Sequence, residues 1–194
     1  MKKIWLVRHA ESKCQAGETD DSVNPELSDR GKQQARHLGF YFTDTKFDLA
    51  LISPLTRAWQ TFTLSEIQTK HAEFDSRLIE LDWGDAEKYR TRLPISTPEI
   101  ATPDRHEAWL LSDTDRMTGL VEDLIELDLE NILCIGHWGS LHHLLLSFIG
   151  VTTVEDYFRA TLENASVSLL EIDDKGVRCL RYWNDRSHLR DLLD

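Results

Sequence analysis

Ile4-Trp5-Leu6-Val7-Arg8-His9 is the run on which the fold turns. Its apolar part, partly β-branched, suits a strand buried on both faces, and it stops abruptly at an arginine and a histidine. Asp48-Leu49-Ala50-Leu51-Ile52 has the same character and stops at Ser53-Pro54. Asn131-Ile132-Leu133-Cys134-Ile135 is the most strand-like run of all and stops at Gly136-His137-Trp138-Gly139. Helical spacing fills the intervals. Ala35, Leu38 and Phe42 recur at core spacing over residues 29–42, behind an N-cap at Ser28. Leu120, Leu124 and Leu127 do so over 115–127, and a third helix fits 140–148 with Gly150 just beyond. Ser53-Pro54 predicts a further helix, with the serine as cap and the proline at the first helical position, so that Arg57 falls in its first turn. Residues 73–79 read as a strand and 106–111 as a short helix. Two runs, 167–172 and 177–183, flank the turn Asp173-Asp174-Lys175-Gly176 as a hairpin.

Strands that alternate with helices predict an α/β fold with a mostly parallel sheet covered by helices, and antiparallel strands at the carboxyl end. No repeat, low-complexity tract or linker divides the chain, so residues 1–194 are expected to form one domain. Pro94, Pro98 and Pro103 interrupt any periodicity within residues 84–112, which read as a lid or insertion. In open α/β sheets ligands sit beyond the carboxyl ends of the strands. That edge is where Arg8, His9, His137 and the start of Arg57's helix should meet.

Composition narrows what can bind there. The 194 residues are 41% hydrophobic, enough for a core of their own, and carry 34 acidic against 22 basic side chains for a net charge of -12. An extended basic face for nucleic acid or an anionic membrane is therefore not expected. An anion has to be captured locally, which screening over about 8 Å permits even in an acidic protein. Cys14, Cys134 and Cys179 are odd in number and widely spaced, the pattern of reduced thiols in a cytoplasmic protein. The apolar run after Met1 is too short for a signal segment, and no run approaches the roughly 20 apolar residues of a membrane span.

Polar, ionisable residues stand at successive strand ends: Arg8-His9, Ser53-Pro54-Leu55-Thr56-Arg57-Ala58, Glu80-Leu81-Asp82-Trp83-Gly84 and Gly136-His137-Trp138-Gly139. Here the sequence resembles the histidine phosphatase superfamily, the phosphoglycerate-mutase-like proteins, along almost its whole length. The matching segments are Leu6-Val7-Arg8-His9-Ala10-Glu11-Ser12, Leu27-Ser28-Asp29-Arg30-Gly31-Lys32-Gln33-Gln34-Ala35, Ile52 to Ala58, Leu78-Ile79-Glu80 and Ile135-Gly136-His137. Asn164-Ala165-Ser166-Val167, Asn184 and His188-Leu189 are similar to the closing segments of that family.

The resemblance implies a three-layer sandwich and a set of roles. His9 is implied to be the nucleophile that takes a phosphoryl group onto a ring nitrogen, for which it must be neutral. Arg8 and Arg57 are implied to grip the phosphate oxygens and to disfavour protonation of His9. His137 matches the second family histidine, and Glu80 the proton donor, with Asp82 as second choice. Arg8, Arg57, Ser12, Gln15 and Trp138 make up the expected substrate-binding set, and neither metal nor cofactor is called for. His142 and His143 are adjacent on a helix and diverge by about 100°, so they are read as packing or surface residues and not as ligands alongside His137. Trp59, Trp109 and Trp183 are read as core or rim packing.

Departures from the family pattern bear on the substrate. Ala10 stands where glycine is usual and demands a backbone without positive φ. Gln15 stands in place of an asparagine, and Trp138 in place of a small residue, which narrows the pocket or offers a stacking face. The glycine-glutamate-serine segment on the lid side has only a loose counterpart at Leu111-Ser112-Asp113. Five basic against seven acidic residues between Asp85 and Arg116 leave no surface for a polyanion. The expected activity is metal-independent hydrolysis of a small phosphate monoester. The same residues also serve phosphoglycerate-mutase-type transfer or a non-catalytic phospholigand-binding module, and they assign no oligomeric state.

Overall fold

The strands are β1 (Lys2–Arg8), β2 (Leu49–Ile52), β3 (Ala72–Phe74), β4 (Asn131–Gly136), β5 (Val167–Ile172) and β6 (Arg178–Asp185), and the α-helices are α1 (Asp29–Tyr41), α2 (Thr56–Ser65), α3 (Asp113–Glu126) and α4 (Trp138–Phe148). In the computed structural model, which describes residues 1–80, 113–151 and 160–192, the strands form one sheet in the order β3-β2-β4-β1-β5-β6. β1 runs parallel to β4, β4 to β2 and β2 to β3, while β5 is antiparallel to β1 and β6 to β5.

Alternation along each strand decides which layer its residues feed. Val7, Ala50, Ile52, Leu133 and Ile135 join Ala35 and Leu38 of α1 and Ala58 of α2 in one core. Ile4, Leu6, Leu49, Leu51, Ile132 and Cys134 point the other way, to Met117, Leu120 and Leu124 of α3 and Leu141, Leu144 and Phe148 of α4. With both faces covered, the strands need no polar side, which is why the sequence shows continuous apolar runs. The result is the expected α/β three-layer sandwich.

Register sets the edge on which function depends. Arg8 is opposite Gly136, and Ile52 is opposite both Ile135 and Phe74, so four parallel strands end together. Far from that edge, the Lys2 ammonium donates to the carbonyls of Leu124 (2.7 Å), Ile125 (2.6 Å) and Leu127 (2.5 Å), a cation at the carboxyl end of α3.

Local chemistry explains where elements begin and end. Ser28 caps α1 as expected, its hydroxyl accepting from the Gly31 N–H at 3.0 Å. The hairpin turn closes through the Asp173 carboxylate, which accepts from the N–H groups of Lys175 and Val177, with Gly176 at φ +80°. Two expectations are corrected. α2 starts at Thr56 with Leu55 in the cap position, not at Pro54 with Ser53 as cap. Proline holds the residue before it extended, and the Ser53 hydroxyl pairs with His137 across the sheet edge. The third strand ends at Phe74 and does not run to residue 79, because the Asp75 carboxylate accepts from the Arg77 N–H (2.9 Å) and turns the chain into a 3-10 helix over Ser76–Leu78. The expected helix at 106–111 and the lid at 84–112 lie outside the described residues.

Gly31 is a close-approach glycine: a Cβ there would stand 1.9 Å from the Glu11 carbonyl oxygen. Gly119, in α3, has no described atom within 4 Å of its would-be Cβ. Gly31→Ala should therefore destabilise by about 1–3 kcal/mol, and Gly119→Ala should stabilise by about 0.5–1 kcal/mol. Urea midpoints of the two variants check both signs.

Candidate active site

His9 is the first residue beyond β1 and is 3% exposed. Its backbone N–H donates to the Gly136 carbonyl at 2.9 Å, which continues the β1–β4 ladder one step past the strand. Its Nδ1 lies 2.7 Å from the Ala10 carbonyl oxygen. A carbonyl only accepts, so Nδ1 carries the proton and Nε2 keeps its lone pair. The Arg57 Nε–H points at that Nε2 from 3.3 Å. Arg57 is held in turn by an Nη1 bond to the Val23 carbonyl at 3.0 Å. The Thr61 hydroxyl ties α2 to the loop after β1, donating to the Arg57 carbonyl (2.6 Å) and accepting from the Ala10 N–H (2.9 Å). Ala10 takes no positive φ, as its identity requires. Burial pushes the His9 imidazole well below the usual histidine range, the Arg57 and Arg8 charges push the same way, and the Ala10 carbonyl opposes them.

His137 follows β4 and is fully buried, its ring 5.0 Å from that of His9 between centroids. Its Nε2 pairs with the Ser53 hydroxyl at 2.8 Å, and its Nδ1 is buried without a protein partner. The Ser53 oxygen also accepts weakly from the Leu55 N–H (3.4 Å). Burial holds His137 far below its ordinary value, reinforced by Arg57, His9, Arg8 and Arg116 in that order. Arg116, in the first turn of α3 and 5% exposed, is a cation that the sequence shows only as part of a charge tally.

Arg8 closes the other flank. Its Nη1 donates to the Leu162 carbonyl, and its Nε is buried without a partner. Glu80 reaches the same edge: its Oε1 accepts from the N–H groups of Gly139 (3.0 Å) and Ser140 (3.3 Å) in the first turn of α4, where an anion is favoured. Glu80 is also close enough to Arg8 to favour its charged form. Trp138, in the same turn, donates from Nε1 to the Ala160 carbonyl at 3.2 Å.

Arg8, His9, Arg57, Glu80, His137 and Trp138 thus come from four segments to one edge. Ser12 and Gln15 do something narrower. Gln15 Oε1 accepts from the Ser12 N–H (3.0 Å), the Ser12 hydroxyl (3.2 Å) and Asn164 Nδ2 (3.1 Å). Asn164 also donates to the His9 carbonyl at 3.1 Å, so these side chains brace the loop behind the imidazole.

Two supports were not found in the sequence. Ser53 reads as a helix cap, and nothing local betrays its bond to a histidine 84 residues away. Arg77 forks onto the Asp75 carboxylate (Nε 3.0 Å, Nη2 2.6 Å) and reaches Asp123 of α3 at 2.7 Å. This buried network fixes the turn that leads to Glu80, and the polar run Asp75-Ser76-Arg77 inside an expected strand was its signal. His142 is buried beside Trp138, ring centroids 5.5 Å apart, in keeping with a packing role. Among the described residues, no three His, Cys, Asp or Glu side chains gather as metal ligands.

A mostly parallel sheet that ends in two buried imidazoles between guanidinium groups defines an α/β protein built to receive a small anion. The chain belongs to the histidine phosphatase superfamily (branch 1), whose family profile matches residues 4–185. It is 31% identical over 201 residues to the protein named uncharacterized phosphatase PhoE of Bacillus subtilis, covering 97% of each chain. It is 26% identical over 189 residues to phosphoserine phosphatase 1 of Hydrogenobacter thermophilus, covering 90% of this chain and 89% of the relative. The crystal structure of the α-ribazole phosphatase from Shigella flexneri superposes with a TM-score of 0.68 at 26% identity, over 95% of this chain and 96% of that one.

Both imidazoles are held neutral, so the folded state binds fewer protons than the unfolded chain below the unfolded histidine value of about 6.5. Their contribution to stability is complete above that pH and is lost as pH falls below it, by about 1.4 kcal/mol per pH unit for each ring. Thermal unfolding of the wild type should accordingly fall more steeply between pH 7 and 5 than that of His137→Gln. Removing the Arg77 fork by Arg77→Met strands a buried carboxylate and should cost about 3–5 kcal/mol in denaturant unfolding.

Proposed function

We propose that the protein hydrolyses small phosphate monoesters through a covalent phosphohistidine on His9 Nε2. The observation that carries this reading is the fixed tautomer. The Ala10 carbonyl holds the proton on Nδ1, so the lone pair on Nε2 faces the Arg57 guanidinium that would bring phosphorus to it.

In the first half-reaction Nε2 attacks phosphorus, a P–N bond forms and the ester P–O bond breaks. The departing oxygen takes a proton from the Glu80 carboxyl. The positive charge that develops on the imidazole is shared with the Nδ1–H bond to Ala10. Arg57 Nε–H leaves Nε2 for a phosphoryl oxygen, and the unpartnered Arg8 Nε–H supplies a further donor for the equatorial oxygens, with the His137 ring beside that of His9. In the second half-reaction water attacks phosphorus and gives a proton to Glu80, the P–N bond breaks and phosphate departs. Every group returns to its starting state. Catalysis is placement and charge, supplied by donors that are oriented before substrate arrives.

The named activities of the relatives, on phosphoserine and on an α-ribazole phosphate, support a small phosphorylated metabolite as substrate. No described helix is long and apolar enough to cross a membrane, and three free cysteines fit a reducing cytoplasm.

The protein should turn over p-nitrophenyl phosphate in the presence of chelator and be inhibited by vanadate. His9→Ala should form no phosphoenzyme and lose turnover, and Arg57→Ala should lower kcat by about 10²–10³-fold. Full activity in His9→Ala would overturn the mechanism. Efficient interconversion of phosphoglycerates, dependent on added bisphosphoglycerate, would place the chain with mutases instead.

A further inference from the structure

Beside Arg8 lies a hollow of about 240 Å³, lined by Arg8, Trp138, Ala160, Thr161, Leu162 and Glu163. Its far wall is held with unusual completeness. Three successive carbonyls each accept a side-chain bond: Ala160 from Trp138 Nε1 (3.2 Å), Thr161 from Trp183 Nε1 (2.7 Å) and Leu162 from Arg8 Nη1. The N–H of the fourth residue, Glu163, donates to Asn184 Oδ1 at 2.7 Å, and Asn184 takes a left-handed φ of 63° to present that oxygen. Next comes Asn164, bonded to the His9 carbonyl. One wall therefore runs, residue by residue, from the indole of Trp138 to the loop behind the candidate nucleophile.

What that wall presents is an aromatic ring and a carboxylate. Trp138 lines the hollow together with Arg8, which sets it beside the phosphate edge. Glu163 lines the same hollow with its side chain 47% exposed, and its ion-pair partner Arg186 is distant at 3.9 Å. Glu163 also favours the charged form of Arg8, which places its field at the phosphate edge. A phosphate dianion bound by Arg8 and Arg57 would consume their positive charge, which leaves the Glu163 carboxylate and the Trp138 indole as the recognition elements of the hollow. Both attract cations. The hollow has room for the several heavy atoms of a small aliphatic alcohol.

We propose that this hollow is the leaving-group subsite and that it selects phosphate esters of small alcohols bearing a protonated amine, with Glu163 and Trp138 as the specificity-determining residues. The proposal rests on the phosphatase reading for the position of the phosphate next to Arg8. Its recognition chemistry is separate from catalysis.

The test uses two non-hydrolysable probes of nearly equal shape, 2-aminoethylphosphonate and propylphosphonate, with dissociation constants measured by calorimetry on the purified protein. The wild type should bind the amine about tenfold more tightly, the scale of one charge-assisted contact. In Glu163→Gln the ratio should collapse to near unity. Trp138→Phe, which keeps a ring, should retain the preference, and Trp138→Leu should weaken it. Equal affinities in the wild type, or an undiminished preference in Glu163→Gln, would overturn the subsite. p-Nitrophenyl phosphate turnover, measured on the same preparation, separates the two ideas. Turnover without amine preference defeats the subsite alone, and amine preference without turnover supports the subsite and defeats the phosphatase reading.

Discussion

Parallel pairing of β1 with β4, in the register that sets Arg8 opposite Gly136, is the constraint from which the site follows. The ladder extends one bond beyond the strands, from the His9 N–H to the Gly136 carbonyl, and so places the two histidines side by side. A slip of one residue would exchange the two faces of β1, moving Ile4 and Leu6 out of one core and Val7 out of the other. The register is thus enforced by two apolar layers at once, and the bonds from Ala10, Arg57 and Ser53 then orient rings whose positions the sheet has set. Arg57 and Glu80 arrive from β2 and β3, which end level with them.

Burial next to guanidinium groups keeps both rings neutral, and the same groups form the local well for an anion. A chain with a net charge of -12 can maintain such a well because low dielectric and close spacing, not overall sign, govern the field at a few ångströms. Two acidic groups lie near that well: Glu80, held by the N–H groups in the first turn of α4, and Glu163, which lines the hollow beside Arg8.

Strand runs and their polar endings were legible because a strand covered on both faces writes itself as an unbroken apolar word, and Arg8, His9, Arg57, Glu80 and His137 were readable as its punctuation together with the family resemblance. Helices with a strong apolar stripe, such as α1 and α3, were found within a residue or two. Ser53 and the 73–79 run were misread for a shared reason: each is governed by a partner invisible to local pattern, His137 for the serine and Arg77 with Asp123 for the turn at Asp75. Gln15 and Ser12, read as ligands of the substrate, prove to have one another and Asn164 as their immediate bonds. Side chains at a strand edge announce themselves in sequence, whereas the long-range bonds that aim them do not.

The tie between Arg8 and the Leu162 carbonyl joins residues 154 positions apart, and Asn164 reaches back to His9 across 155. During synthesis, therefore, the amino-terminal segment that holds the imidazole leaves the ribosome long before the residues that orient its neighbours exist. Chemical competence is deferred until residues 162 and 164 have emerged, and a nascent chain stalled short of residue 160 would display a histidine and an arginine without these two ties.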